Sequence, residues 1–167
     1  MISYTPDRPS PVVTDDYVAI QRLVHRYADA VVNRNAEQWG SCWADDASWS
    51  LGPGRSVVGK AAIVDLWTKA MGMMAAVVQV VHNGDAFTVE GDQDRATGRW
   101  YISESLSRVT GEVGILLAHY DDAYVRTPAG WRFSDRMLQP HYSGPPDLSA
   151  AFLNTADGLR ERGVLDA

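Results

Sequence analysis

Residues 94–127 read DRATGRWYISESLSRVTGEVGILLAHYDDAYVRT, and the fold turns on how this stretch is read. It holds two β-rich runs, 94–109 and 112–127, separated only by Thr110-Gly111. A connection that short makes the two runs antiparallel neighbours. The same texture extends both ways. A run over 77–90 precedes it, joined through Gly91-Asp92, and a run over 130–142 follows it, joined through Thr127-Pro128-Ala129-Gly130. Four such runs with turn chemistry between them predict an antiparallel meander.

Upstream the period changes. Ile20, Leu23, Val24, Tyr27, Ala28 and Val31 recur at helical spacing from Thr14 to about Arg34. Thr14 is placed to cap this helix, with Asp15 and Asp16 near its positive end. Asn35 followed by Gln38 resembles a capping box. It opens a short helix through Trp39 and Trp43 that ends before Asp45-Asp46. A short strand is expected over 47–51, broken by Gly52-Pro53-Gly54. A third helix is expected over 59–74, with Ile63, Leu66, Trp67 and Met71 on one face. Helices first and strands later make an α+β protein. A curved antiparallel sheet with the N-terminal helices packed on its concave face forms a cone closed at one end, with a pocket walled by strands and lidded by helices. The organisation read from the chain is an N-terminal arm over 1–13, the barrel domain over 14–142 and a tail over 143–167. The tail is expected to be partly helical, with Asp147 as cap and Leu148, Phe152 and Leu159 on the helix. It could fold over the pocket mouth or exchange contacts with a neighbouring subunit.

Composition bounds the function. At 167 residues, 46% hydrophobic and 22% charged, the chain reads as one soluble globular domain. Fifteen basic against 21 acidic residues give a net charge of −6, which argues against nucleic acid and anionic membranes as partners. The single cysteine, Cys42, excludes an intrachain disulfide and reads as a small buried hydrophobe. The start of the chain has no apolar run, and no window approaches the roughly 18 apolar residues of a span. A cytoplasmic location is the expectation. Four histidines without an i, i+4 pair or a nearby cysteine predict no metal site. No phosphate loop or dinucleotide fingerprint is present, so no cofactor is expected.

One imidazole stands out. His82 lies in Val80-Val81-His82-Asn83-Gly84-Asp85, a stretch otherwise built for burial. It is either a general base or a hydrogen-bonded core residue. An unperturbed pKa near 6.5 suits imidazole to proton abstraction at neutral pH. Tyr27 and Asp29 put a phenol and a carboxylate close together on the first helix.

Several segments resemble the SnoaL-like family of the cone-shaped α+β barrel superfamily, over roughly residues 15–142. They are Tyr27-Ala28-Asp29-Ala30-Val31, Trp39, Trp43-Ala44-Asp45-Asp46-Ala47-Ser48-Trp49, Val58-Gly59-Lys60-Ala61-Ala62-Ile63, His82, Ala96-Thr97-Gly98-Arg99-Trp100-Tyr101 and Gly130-Trp131-Arg132-Phe133-Ser134-Asp135-Arg136. That superfamily includes scytalone dehydratase, hexachlorocyclohexane dehydrochlorinase and bile-acid 7α-dehydratase. The resemblance implies that His82 is the base, that Tyr27 contacts the substrate, and that Arg136 lies near the leaving group. It also implies a helical aspartate beside the histidine, and there this chain departs: the position is Val32. Asp29 or Asn33 would have to compensate. Tyr101, Tyr120, Trp49 and His119 are expected to line the substrate pocket. The implied function is a cofactor-independent lyase acting on a small, largely apolar, ring-bearing substrate. The alternatives are an isomerase using the same proton shuttle, a noncatalytic binder of small hydrophobes, and an assembly protein like the small subunit of ring-hydroxylating dioxygenases. Relatives imply a homo-oligomer, dimer or trimer.

Overall fold

The computed structural model describes residues 10–52 and 54–161. The reading of residues 1–9 as part of an arm, and of 162–167 as part of the tail, lies outside the described residues.

Helix α1, Thr14–Asn33, buries Ile20, Leu23, Val24, Tyr27, Ala28, Ala30 and Val31 on one face, as their spacing requires. Val13 rather than Thr14 occupies the cap position, and Asp15 and Asp16 sit in the first turn. Asp16 also ties the helix to the sheet. Its carboxylate accepts from Arg126 at 2.8 Å and from the Trp131 indole at 3.0 Å. Arg34, at φ 54°, ends the helix in the left-handed conformation. Asn35 then caps α2, Ala36–Gly40, accepting from the Gln38 amide at 3.0 Å.

Helix α2 stops at Gly40, and Trp43 opens strand β1, Trp43–Ser50. The expected helix through Trp43 is therefore corrected. Buried Ala47 and Trp49 alternate with half-buried Ser48 and Ser50, the period of a strand. Strand β2, Ser56–Val58, folds back on β1 and was not read from the sequence. Helix α3, Lys60–Gly72, buries Ile63 and Trp67.

The meander follows as expected: β3 Met74–Val89, β4 Asp92–Arg108, β5 Val113–Thr127 and β6 Gly130–Gly144, each antiparallel to the next. Strand β1 enters the sheet beside β6 and runs parallel to it. The curved sheet is therefore mixed, with order β2-β1-β6-β5-β4-β3, and it does not close on itself. The helices pack on its concave face, where one large core cluster joins α1–α3 to β1 and to β3–β6.

The tail is less helical than expected. The Asp147 carboxylate accepts from the Ser149 amide at 3.0 Å, which makes a local turn instead of a helix cap. Leu148 has φ 60°, and the only helix described there is α4, Ala156–Glu161. The tail is tied to β6 instead. Leu153 N donates to the His141 carbonyl at 2.7 Å, and the Phe152 ring lies 4.9 Å from that of Tyr142.

Candidate functional site

Strand pairing decides which side chains enter the cone. On β5, Ala118, Tyr120, Asp122 and Tyr124 are buried on the concave side, while Leu117, His119, Asp121 and Ala123 alternate onto the convex side. Tyr120 sits opposite Trp100 and Ala118 opposite Ile102, so β4 turns Trp100, Ile102 and Glu104 inward. Arg99, Tyr101 and Ser103 then point outward.

The inner face holds a desolvated polar network. Arg136 is 1% exposed. Its guanidinium lies 3.7 Å from the Tyr120 ring centroid and 4.2 Å from those of Tyr27 and Phe133. Its Nε is 3.1 Å from Asp122 Oδ1. The other Asp122 oxygen accepts from the Tyr124 hydroxyl at 2.8 Å, and that hydroxyl accepts from the Trp100 indole at 2.9 Å. Burial pushes the Asp122 carboxyl up to about 6, with Arg136 pulling it back, so it is ionised at neutral pH. Burial opposes the Arg136 cation as well, but Asp122 and the three phenols leave it above its ordinary value. Burial raises the Tyr27 and Tyr120 phenols, so both keep a proton to donate.

Further along the same face lies Glu104. Its Oε2 accepts from Gln79 Nε2 at 2.9 Å, and Gln79 is itself buried. Burial holds the Glu104 carboxyl above its usual range, partly offset by the Gln79 bond. Its charge acts on both Tyr27 and Tyr120. Tyr120 belongs to a small apolar cluster with buried Ile102 and Ala118, against which Val81, Leu116 and Leu138 pack. The inner face thus holds a carboxylate raised by burial, two phenols over a fixed cation, and an apolar cluster that one of those phenols joins. Among the described residues, no group of three or more His, Cys, Asp or Glu is placed to hold a metal ion.

The structure gathers some of the predicted residues and scatters others. Tyr27, Tyr120 and Arg136 meet inside. Trp49 also faces in, but it packs within a cluster of rings, 5.3 Å from Trp39 and 6.1 Å from Trp43. Cys42 is buried, and burial pushes its thiol up to about 11, so it is inert packing as expected.

His82 does not face the interior, which corrects the enclosed imidazole expected from the sequence. Val81 pairs with Ile102 and Gly84 with Trp100, so β3 spends one residue more than β4 over this interval. That bulge turns His82 outward, where it is exposed and its Nε2 lies 2.9 Å from Ser103 Oγ. Asp29 and Asn33 do not compensate for Val32. Both are exposed, and Asp29 accepts from Asn33 Nδ2 at 2.9 Å and from Gln38 Nε2 at 2.8 Å. These bonds stay within α1 and α2. Tyr101 and His119 also lie on the convex side, not on the inner face, because strand alternation puts them opposite to Trp100 and Tyr120.

Glu104, Gln79 and Asp122 were missed. Ser103-Glu104-Ser105 reads as a solvated edge, and only pairing opposite Gln79 and Leu116 turns its carboxylate inward. Asp122 had a signal. Adjacent residues of a regular strand point to opposite faces, so Asp121 and Asp122 divide between the two sides of the sheet.

With the geometry in view, the family follows. The SnoaL-like domain matches residues 12–137, and the chain belongs to that family. Among solved structures it is similar to a type 2 hexachlorocyclohexane dehydrochlorinase, with a TM-score of 0.71 and 22% identity over 83% of this chain and 93% of that one. It is also similar to two proteins from Novosphingobium aromaticivorans. One, named as a candidate aromatic ring hydroxylase, gives a TM-score of 0.72 and 26% identity over 81% of this chain and 97% of that one. The other, named as a candidate scytalone dehydratase, gives 0.72 and 20% over 83% and 93%. Among curated proteins, none matches the sequence.

Proposed function

We propose that this chain is a cofactor-independent lyase or isomerase that starts by removing a proton from carbon in a small, largely apolar, ring-bearing substrate. One observation carries the reading: the half-buried carboxylate of Glu104 shares the inner face of the sheet with the Tyr27 and Tyr120 phenols, near enough for its charge to raise both. In this reading Glu104, made more basic by burial, takes the proton. Tyr27 and Tyr120 donate to the oxygen or leaving group that gains negative charge. Arg136, stacked beneath both rings, steadies that charge without touching solvent. Asp122 fixes Arg136 and takes no part in the proton transfer. Elimination and isomerisation share this first step and diverge only in where the electrons go next. The names of the dehydrochlorinase and of the candidate scytalone dehydratase favour elimination. A noncatalytic binder is favoured by one fact alone, that Val32 is 39% exposed where a charge partner was expected.

The test is hydrogen exchange in heavy water, with α-tetralone as an enolisable ring ketone. The wild-type chain should speed deuterium uptake next to the carbonyl. Glu104→Gln should lose about 10²–10⁴-fold of that rate, and His82→Ala should keep it. Exchange that survives in Glu104→Gln but vanishes in His82→Ala overturns the assignment. No acceleration by the wild-type chain supports the binder.

A further inference from the structure

We propose that the convex face carries a second small-molecule site, between β4–β6 and the C-terminal tail, that takes an uncharged aromatic alcohol. The cleft has a volume of about 650 Å³ and is lined on one side by the sheet and on the other by tail residues that include Phe152 and Leu159. That volume falls in the range of small-ligand sites. It is separate from the inner site, because each strand that contributes to both does so from opposite faces: Tyr120 points in where His119 points out.

The polar end of the cleft is an ordered chain of groups. His119 Nδ1 lies 2.8 Å from His141 Nε2. His119 Nε2 lies 3.3 Å from Asp121 Oδ2, and Asp121 Oδ1 accepts from Arg99 Nε at 2.7 Å. Two ring nitrogens at that distance must share one hydrogen between them. The carboxylate requires a hydrogen on His119 Nε2, so in the neutral pair His141 Nε2 donates to His119 Nδ1. Burial lowers the His119 pKa, which favours the neutral His119 ring. Arg99 and Asp121 cancel one another. With both rings neutral the end carries no net charge, yet it offers both donors and acceptors.

This pattern selects a ligand class. A fixed anion would meet Asp121, and a fixed cation would meet Arg99. A hydroxyl can donate to one group and accept from another. The rest of the cleft suits a ring. Leu117, Phe152 and Leu159 supply apolar wall, and Tyr101 stands beside the imidazoles, its ring 5.4 Å from that of His119. The tail keeps Phe152 in place through Tyr142 and through the Leu153 bond to His141. Tyr101 and His119, expected from the sequence to line a substrate pocket, line this cleft instead.

The test uses phenol as probe on the full chain, with imidazole-ring NMR and calorimetry as readouts. His119 and His141 signals should shift together and saturably, while exposed His25 on α1 stays still. Phe152→Ala and His119→Gln should each weaken binding about tenfold, equal to about 1.4 kcal/mol. Glu104→Gln should leave binding unchanged, which separates this cleft from the inner site. Benzoate and benzylamine should bind more weakly than phenol. Several results overturn the proposal: shifts that grow without saturation, benzoate binding as tightly as phenol, or binding lost in Glu104→Gln and kept in His119→Gln. Silent His119 and His141 signals in a chain that sediments as an oligomer, and that dissociates on Phe152→Asp, overturn it too, by showing a second copy in the cleft.

Discussion

The two faces of β5 carry adjacent aspartates, and each is paired with an arginine. On the convex face Asp121 meets Arg99 at 2.7 Å, with side chains 32% and 53% exposed. On the concave face Asp122 meets Arg136 at 3.1 Å, with side chains 0% and 1% exposed. The chemistry of the pairs is the same and their surroundings are not. An exposed pair of this kind is worth roughly 0–1 kcal/mol, because water screens it. The buried pair holds two ions that cannot return to water, and each depends on the other. Depth, set by one step of strand alternation, turns a surface ion pair into the electrostatic floor of a candidate active site. The same step separates Tyr120 from His119.

The largest effect should break the buried pair. Asp122→Ala leaves Arg136 unpaired among rings and should cost about 3–5 kcal/mol in denaturant unfolding. Asp121→Ala should cost under about 1 kcal/mol. Replacing both inner partners, Asp122→Leu with Arg136→Met, should recover most of the loss. Equal costs for the two single variants would erase the contrast between the faces. The pair also has a pH signature. The folded chain raises the Asp122 carboxyl from 3.8 to about 6, so the folded state holds that proton longer than the unfolded state does. Its contribution is therefore full below about pH 4, falls as pH rises toward 6, and levels off above. Asp122→Asn should flatten that part of the stability profile.

A middle-sized effect should come from the bulge. A Cβ at Gly84 would collide with the Arg99 carbonyl and the Trp100 ring. Gly84→Ala should therefore cost about 1–3 kcal/mol, as overpacking does. Unchanged stability would mean that the bulge is loosely held and that the outward setting of His82 is not enforced by packing. The smallest effect sharpens the comparison from the outside. His82→Ala should change unfolding stability by less than about 0.5 kcal/mol, as an exposed side chain does. A loss of several kcal/mol would put the imidazole in the core after all.

What could be read from the sequence was local. Gly91-Asp92, Thr110-Gly111 and Thr127-Pro128-Ala129-Gly130 fix hairpins by their own backbone preferences, and the four-strand meander followed from them. The α1 face followed from the spacing of Ile20, Leu23, Val24, Tyr27 and Val31. The parallel entry of β1 beside β6 did not, because a helix and three long strands separate the two and no turn encodes their register. Tyr27 lies in the interior because it sits on the patterned face of α1; Arg136, set near the site by the resemblance and not by any local pattern, is buried as well. His82, Tyr101 and His119 were assigned to the wrong face. A one-residue insertion in β3 leaves no mark in composition, and alternation has no absolute sign until a strand finds its partner. Glu104 was hidden for the same reason: a carboxylate between two serines looks solvated until Gln79 and Leu116 are set across from it.

The most direct test is to see where a ring ketone settles. Crystals soaked with α-tetralone should show its carbonyl oxygen about 2.6–3.2 Å from the Tyr27 or Tyr120 hydroxyl, with its enolisable carbon turned toward Glu104. A ketone ordered against His82 on the outer surface, with the space between Glu104 and the two phenols left to side chains alone, would contradict the account.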